Sequence, residues 1–528
     1  MKLKAPKEHG QLLAVPALEA FAFGCQALNN HAFDSTPVLG KSLSYWRKNE
    51  QLEVLQFAER FTRELTANAC SFPKRSSNEF LVTGHQPELF HPGVWAKNFA
   101  AAGLAQKLNC NSINLIVDTD LAKANILKLP WPVDRPHASE IAYDLPAPTQ
   151  PYEERFIQNE ALFRQLLNTG PSELFDPKRL FASFWSKTIP PDSESTAWPL
   201  GMRFARARRL IEESWGAHNY ELPISLLAKT SGFCAFFLDL AQRAMLFCTA
   251  HNDARQQYRK QHDVRHVNQP VPELMHIDDW IELPFWIWQS ADRQRRRLAS
   301  RLEQGTIHLG EMTHANVQPL GIAIDAHFES GWQAWQQLAL SSWKIRPRAL
   351  ATTLFARLFF GISFIHGLGG ALYDEMTDAI IRAFYQMEPP LFLTLTATLL
   401  LSDPIGSRAS IAHDTRKLKQ AWRDVRYNPD RHIKDMPKEL QPLVQTKQQL
   451  MQWQPVNHAE RLQRFHQFRN ISNQLQPLVL DQIQSLDHAL LSAESNDRRN
   501  KKWQSREWAF CIYPVHDLQR LLLPLAKV

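Results

Sequence analysis

At 528 residues the chain is too long for one small core, and its length predicts two to four domains. Hydrophobic residues at 44% and charged residues at 21% exclude a disordered or fibrous chain and predict an ordinary soluble globular protein. The formal charge of +7, spread over this length, favours anionic ligands weakly and does not by itself imply nucleic acid.

The six cysteines, Cys25, Cys70, Cys110, Cys234, Cys248 and Cys511, are scattered with no CxxC pair. They predict buried or incidental thiols in a reducing compartment, not a disulfide framework or a zinc site. The N-terminal segment has no unbroken apolar stretch, because Lys7, Glu8, Pro16 and Glu19 interrupt it. The longest apolar run, Leu391–Leu401, is too short to span a bilayer. A cytoplasmic protein without a membrane partner is expected.

In chain order, Trp46–Leu65 places Val54, Phe57, Phe61 and Leu65 on one stripe at helical spacing. The stretch Phe80–Asp120 then reads as a βαβ unit: the apolar run Phe80-Leu81-Val82, a polar loop from Gly84, a helix over Val94–Leu108, and a second run over Ile113–Val117. The second strand stops on Asp118-Thr119-Asp120. In open parallel sheets such strand ends hold ligands, and the amides opening the following helix favour an anion. The plainer alternative is that Gly84 and Pro87 only make a turn and that the aspartates only cap the next segment.

The prolines around Leu129-Pro130-Trp131-Pro132 predict an excursion across the sheet surface. Helical patterns follow at Arg155–Leu167, Ser172–Ser186 and Met202–Ser214, the last carrying Arg203, Arg206, Arg208 and Arg209. Leu222–Leu226 is strand-like, Gly232–Cys248 is a buried helix or a strand running into one, and Leu283–Trp288 is a strand with Trp286 and Trp288 in the core, a substrate-stacking role for either being the alternative. Residues 130–330 are expected as an insert region. Arg293, Arg295, Arg296, Arg297 and Arg301 are flanked by Asp278, Asp279, Asp292 and Glu303, which predicts a solvated helix face and not a nucleic-acid patch.

A second organised block repeats the logic of the first. Arg346-Pro347-Arg348 leads into a helix over Ala349–Phe360, a strand over Ile362–Ile365, the loop His366-Gly367-Leu368-Gly369-Gly370, a helix over Met376–Tyr385, and an apolar strand over Leu391–Leu400. A glycine loop between strand and helix suits a phosphate or carboxylate; glycines that merely allow close packing are the alternative. From Ser402 onward glycine is almost absent. Helical patterns cover Ser410–Val425, Lys438–Met451 and Ala459–Ala493, with a kink at Pro477, and predict an antiparallel hairpin or dimerising coiled coil. Glu507–Leu523 regains aromatic density and is expected to return to the main body.

No HExxH, Walker A loop, GxSxG elbow or protein-kinase set is present, and His262 and His266 lack a third ligand nearby. The candidate site residues are His85, Gln86, His91 and Lys97 with Asp118 and Asp120, joined by Arg346, Arg348, His366, Tyr373, Asp374 and Glu375. Gly84, Gly93, Gly367, Gly369 and Gly370 would let a ligand approach the backbone. The set supplies cations for a phosphate or carboxylate, carboxylates for an amine or Mg²⁺, and histidines able to move a proton.

Several of these residues carry a resemblance. Thr83-Gly84-His85-Gln86-Pro87, Leu89-Phe90, Gly93 and Lys97 resemble the TGQQPGLF…G…K signature of the bacillithiol-biosynthesis cysteine-adding enzymes, the cysteine ligases. Asp118-Thr119-Asp120 and Asn125 are similar to that family's DHD…N stretch, and Arg346-Pro347, Gly367-Leu368-Gly369-Gly370 and Tyr373 to its RP…GPGExxYW region. The resemblance implies an α/β fold with a Rossmann-like parallel sheet core over residues 1–401, a helical coiled-coil arm over 402–505, and a return to the core over 506–528. It also implies an enzyme that joins cysteine to an amino-sugar acceptor, glucosaminyl-malate, and a homodimer formed through the helices. ATP or ADP and Mg²⁺ stay open as cofactors. Four positions depart from the pattern: His85 replaces a glutamine, Glu88 a glycine, Thr119 a histidine and Gly370 a glutamate. His85, His91 or His366 would then supply the lost proton carrier. The alternative is a non-catalytic dimer that binds a small anionic ligand or nucleotide.

Overall fold

The computed structural model describes residues 3–26, 31–72, 75, 77–122, 125–130, 140–169, 175–190, 198–264, 271–401, 411–503 and 505–528. By contact density the chain divides into two units, Met1–Leu399 with Arg506–Val528, and Leu400–Ser505.

The first unit opens with strand β1 (Gln11–Val15) and the long helix α1 (Leu43–Thr66). Ser42 caps α1 by accepting from the Tyr45 amide, and the helix ends on Ala67 in the left-handed region, at φ 50°. The expected βαβ unit follows as β2 (Phe80–His85), α2 (Pro92–Lys107) and β3 (Asn111–Ile116). Pro92 sits in the first turn of α2, where its missing N–H costs nothing, and His91 caps it. Next come α3 (Leu200–Ser214), β4 (Tyr220–Pro223), α4 (Ser231–Gln242) and α5 (Ala244–Gln261). Gly232–Cys248 is thus helical throughout apart from Arg243, where α4 and α5 bend by 88°. Among the described residues no single helix is long and apolar enough to cross a membrane.

The 280–347 region departs most from expectation. It is an antiparallel sheet built from β5 (Trp280–Gln289), β6 (Arg296–Glu303), β7 (Thr306–Met312), β8 (Val317–Asp325) and, after α6 (Phe328–Leu340), β9 (Trp343–Pro347). The arginine cluster expected on a helix face lies largely on β6. Ion pairs across and along the sheet, Arg296 to Glu311, Arg297 to Glu282, and Arg301 to Asp279 and Glu303, balance its charge. Gln304 and Gly305, both at positive φ, form the two-residue turn into β7. Nor is this sheet peripheral to the core: Leu283, Phe285, Ile287, Leu298 and Leu309 belong to the same buried cluster as Phe80, Val82, Ile113 and Leu115.

The second block follows as α7 (Ala349–Phe355), extended by a π-helical turn to Phe360, then β10 (Gly361–His366), α8 (Leu368–Ile380) and β11 (Phe392–Thr398). Arg47 on α1 donates to the carbonyls of Leu358 (2.6 Å) and Gly361 (3.1 Å), satisfying helix-end acceptors just where β10 begins. Gly369 and Gly370 lie inside the first turn of α8 rather than in a loop, because the helix begins immediately after Gly367.

Among the described residues, six strands form the main sheet in the order β1-β11-β10-β2-β3-β4, parallel except for β1 at one edge. The protein is therefore mixed α/β with a mostly parallel sheet. Counted in chain order from β4 to β11, the parallel strands run third, second, first, fourth, fifth. The order reverses between β2 and β10, where Val82 pairs with Phe364 and Thr83 with Ile365. Ligands in open parallel sheets bind at the carboxyl ends of strands at such a reversal.

In the second unit, α9 (Ile411–Tyr427) packs along α12 (Leu480–Trp503), and α10 (Gln441–Gln452) along α11 (His458–Leu475). Trp422 Nε1 donates to Asp487 Oδ1 at 2.6 Å between the first pair. Leu450, Ile471 and Leu475 form the buried cluster of the second. The single stripe expected over Ala459–Ala493 is broken by a short 3₁₀ turn at Gln476–Val479 containing Pro477, which cannot continue the helical hydrogen bonding. Ser402, Gly406 and Ser410, like Trp131, Pro132, His266 and the start of the expected Ser172 helix, lie outside the described residues. The last helix, α13 (Val515–Leu522), belongs to the first unit.

Candidate functional site

A cavity of about 570 Å³ lies in the first unit at this reversal, and the ends of both β2 and β10 open into it. His85 and His366, distant in sequence, line the same space. So do Gly84, Gln86, His91, Gly93, Lys97, Asp120, Arg348, Gly367, Gly369, Gly370 and Tyr373.

The β2 side is set by helix capping and by close backbone packing. His91 Nδ1 accepts from the Gly93 amide at 3.0 Å, so one orphan donor of α2 is satisfied and the helix start turns toward the cavity. A Cβ on Gly93 would lie 2.1 Å from the Ala397 carbonyl oxygen, so only glycine lets α2 approach β11 this closely. Lys97, one turn further along α2, is buried, and its Nζ donates to the Gly84 carbonyl at 2.6 Å. Burial, and then the charge of Arg208, lower its pKa to about 7. His91 is brought down to about 3 by burial, Arg506 and Lys97, while burial followed by Arg208 and Lys97 holds His85 well below its ordinary value. Both are neutral imidazoles near pH 7 and act there as hydrogen-bonding groups, not acids. Gln86 Nε2 donates to Asp120 Oδ2 at 2.9 Å, and Arg295 reaches Asp120 Oδ1 at 3.1 Å. Although burial opposes it, these partners lower the Asp120 pKa.

Behind α2 a buried polar network fixes its position. Glu212 Oε1 accepts from Trp95 Nε1 (2.6 Å), Asn98 Nδ2 (2.8 Å) and Arg208 Nη1 (2.8 Å), while Arg208 Nη2 and Asn114 Nδ2 meet Glu221 Oε2 at 2.6 and 2.8 Å. These bonds tie α2, α3, β3 and β4 together through charges that are paired and hydrogen-bonded.

On the β10 side, His366 Nε2 lies 2.5 Å from Asp374 Oδ2, and Arg357 Nη1 reaches the same oxygen at 3.2 Å. Burial pushes the Asp374 carboxyl up, but His366 and Arg357 outweigh it and hold the pKa at about 2. An ionised aspartate beside Nε2 favours the tautomer with its hydrogen on that atom and leaves Nδ1 as the ring's acceptor. A Cβ on Gly370 would sit 2.7 Å from that Nδ1. The glycine at this position is therefore what makes room for the His366 ring. The space where a side chain would stand on Gly367 or Gly369 is open.

Five expected site residues do not line the cavity. Asp374 stands behind His366 as its partner. Asp118 is buried, with its oxygens taken by the Ser225 amide (3.0 Å) and hydroxyl. Burial and Glu153 raise the Asp118 pKa to about 7, against Ser225 and Arg346. Arg346 forms a two-point ion pair with Glu153, both bonds at 2.9 Å, and so supplies no free cation. Asn125 Nδ2 donates to the Asp144 carbonyl at 2.8 Å, holding the small Ile126–Lys128/Glu140–Ala142 ribbon. Glu375 lies 2.6 Å from His262 Nε2 at a separate cavity of about 300 Å³. With Asp118 turned away, the two aspartates do not converge to hold Mg²⁺. Among the described residues no three of His, Cys, Asp and Glu group as a metal site.

The structure adds residues that sequence reasoning assigned elsewhere or passed over. Arg295, expected on a solvated face, donates to the Thr119 carbonyl (3.0 Å) as well as to Asp120. Trp286, expected in the core, lines the cavity with the guanidinium carbons of Arg348 and Arg295 at 4.3 and 4.8 Å from its ring. Such stacking holds both arginines in place. Arg506 donates to Thr396 Oγ1 at 2.7 Å, and its Nη1 is buried with no hydrogen-bond partner among the described residues. Lys97, Arg295, Arg348 and Arg506 line the cavity with Asp120 and Glu507; Arg295 is paired with Asp120 and Arg348 with buried Glu282 at 2.7 Å, so Lys97 and Arg506 Nη1 are the positions most open to an added anion. No protein-family model matches the chain, and no curated protein matches it.

Proposed function

We propose that the protein is a ligase-like enzyme with a Rossmann-like core, which holds a small anionic substrate at the strand-order reversal and joins an amino acid to an amino-sugar acceptor. The observation that carries this reading is the single cavity shared by His85 and His366, where cations outnumber carboxylates and the first turns of α2 and α8 both open. Two helix N-termini and four cationic side chains suit a phosphate or carboxylate. The partnerless Nη1 of Arg506 is satisfied only when an acceptor enters. The third-second-first-fourth-fifth strand order supports the Rossmann-like assignment.

In this reading Arg348, Arg506 and the amides of Gly367–Gly370 bind the anionic part of the substrate. ATP, when bound, would supply activation of the carboxylate. His366 Nδ1 takes the proton from the attacking amine, and Asp374 orients the ring and stabilises the imidazolium. Asp120, held by Gln86 and Arg295, binds the ammonium of an amine substrate before it loses its proton. The resemblance around Thr83–Lys97 supports cysteine as the amino acid. The six free, buried cysteines support a cytoplasmic setting. Exposed Leu462 and Phe465 on α11 support a homodimer made through the helical unit, to be checked by light scattering.

The test is product formation from ATP, cysteine and an amino-sugar acceptor by the purified chain, read by mass spectrometry. Turnover lost in both His366→Ala and Arg348→Ala is expected. Turnover unaffected by either variant would remove this cavity from the reaction. Binding of the acceptor without turnover would favour the non-catalytic binding protein instead.

A further inference from the structure

Lys97 is not explained by anion binding alone. It is buried on α2, faces the cavity, and has no carboxylate in ion-pair contact among the described residues. Its Nζ spends one hydrogen bond on the Gly84 carbonyl at 2.6 Å, which points the amine but does not neutralise it. Nearby stand the neutral imidazoles of His85 and His91, and Arg208, whose own charge is matched by Glu212 and Glu221. A buried lysine without a counter-ion, opening into the same cavity as His366, Arg348 and Arg506, is the setting of a nucleophilic amine.

We infer that Lys97 forms a covalent imine with a small carbonyl compound carrying an anionic group, an aldehyde or 2-oxo acid, bound through Arg506 and Arg348. The neutral Nζ attacks the carbonyl carbon, and the carbonyl π electrons move to oxygen. One proton passes from nitrogen to that oxygen, giving a carbinolamine. The C–O bond then breaks, and water leaves with a further proton delivered through His366 Nδ1. The nitrogen lone pair closes the C=N bond and its remaining proton returns to His366. One amine and one carbonyl become one imine and one water, and no oxidant or reductant is needed. The depressed pKa of Lys97 keeps a large share of the amine unprotonated near neutrality. The inference rests on the anion-binding part of the proposed function and is independent of its condensation step.

The experiment is reductive trapping of the full chain with glyoxylate and borohydride at pH 7, followed by peptide mapping. Glyoxylate trapped this way leaves a carboxymethyl group on the lysine. Labelling of Lys97 is expected to outrun that of surface lysines on the order of a hundredfold. It should fall when inorganic pyrophosphate is present, and acetaldehyde, which lacks the anionic group, should label Lys97 poorly. Lys97→Met, which keeps the length of the side chain but has no amine, should lose the label while its melting temperature stays at or above that of the wild type, so that loss of the label is not loss of the fold. Pyrophosphate binding to the wild type with Lys97 labelled no faster than surface lysines would overturn the imine and leave the anion site standing. Absence of both would overturn the two together.

Discussion

Replacing Asp374 by asparagine probes the pair that orients His366. Asp374 is fully buried, touches His366 Nε2, and accepts from Arg357, itself fully buried. Its pKa of about 2, against an ordinary 3.8, corresponds to about 2 kcal/mol of stability. Because the folded pKa lies below the unfolded one, that contribution is complete above about pH 4 and is lost as the pH falls through about 2. Asparagine removes the charge at every pH. Arg357 then keeps Asp378 and the Pro390 carbonyl, and breaking one side of a buried pair costs about 3 kcal/mol. Urea unfolding followed by tryptophan fluorescence should show the variant less stable by that amount at pH 7. At pH 3 the gap should narrow by about 1 kcal/mol, since the wild type has begun to lose its advantage. Equal midpoints at pH 7, or a gap as wide at pH 3 as at pH 7, would refute the assignment of an ionised Asp374 between His366 and Arg357.

Other substitutions test separate parts of the account. Gly93→Ala puts a methyl against the Ala397 carbonyl and should cost about 3 kcal/mol, read as a lower melting temperature. Lys97→Met should stabilise the chain by about 3 kcal/mol at pH 7. The folded pKa of Lys97 is lowered to about 7, so the unfolded chain binds the extra proton; the advantage of methionine should shrink as the pH rises from about 7 toward about 10 in parallel unfolding curves. Arg295→Ala removes a cation from Asp120, raising that carboxyl's pKa, and should weaken pyrophosphate binding about tenfold by calorimetry, with a shallower dependence on salt.

The βαβ unit was legible because its signals are local. An apolar run, a glycine, a proline in the first helical turn and a second apolar run lie within forty-odd residues, and each acts on its neighbours. The same held for β10 and β11, whereas α8 begins at Leu368, inside the stretch whose glycines predict a loop. The arginine-rich strand was not legible, because its basic composition reads as a solvated helix face and its alternation through Leu298 is short. The Gln304-Gly305 pair would have marked the hairpin, since residues there must take positive φ. Arg346 and Asp118 looked like site residues by type. What decides their role is whether a partner reaches them first, and Glu153 and Ser225 do. Arg506 could not be found from spacing, as it meets His91 across 415 residues of chain. The glycine at 370 reads in sequence as a lost glutamate; in three dimensions it is the condition for placing His366.

The most direct test of the central claim is a crystal structure with inorganic pyrophosphate bound. The account predicts the anion between Arg348, Arg506 and the amides of Gly367–Gly370, within reach of both strand ends. Pyrophosphate ordered at another surface, with this cavity filled only by solvent, would contradict it.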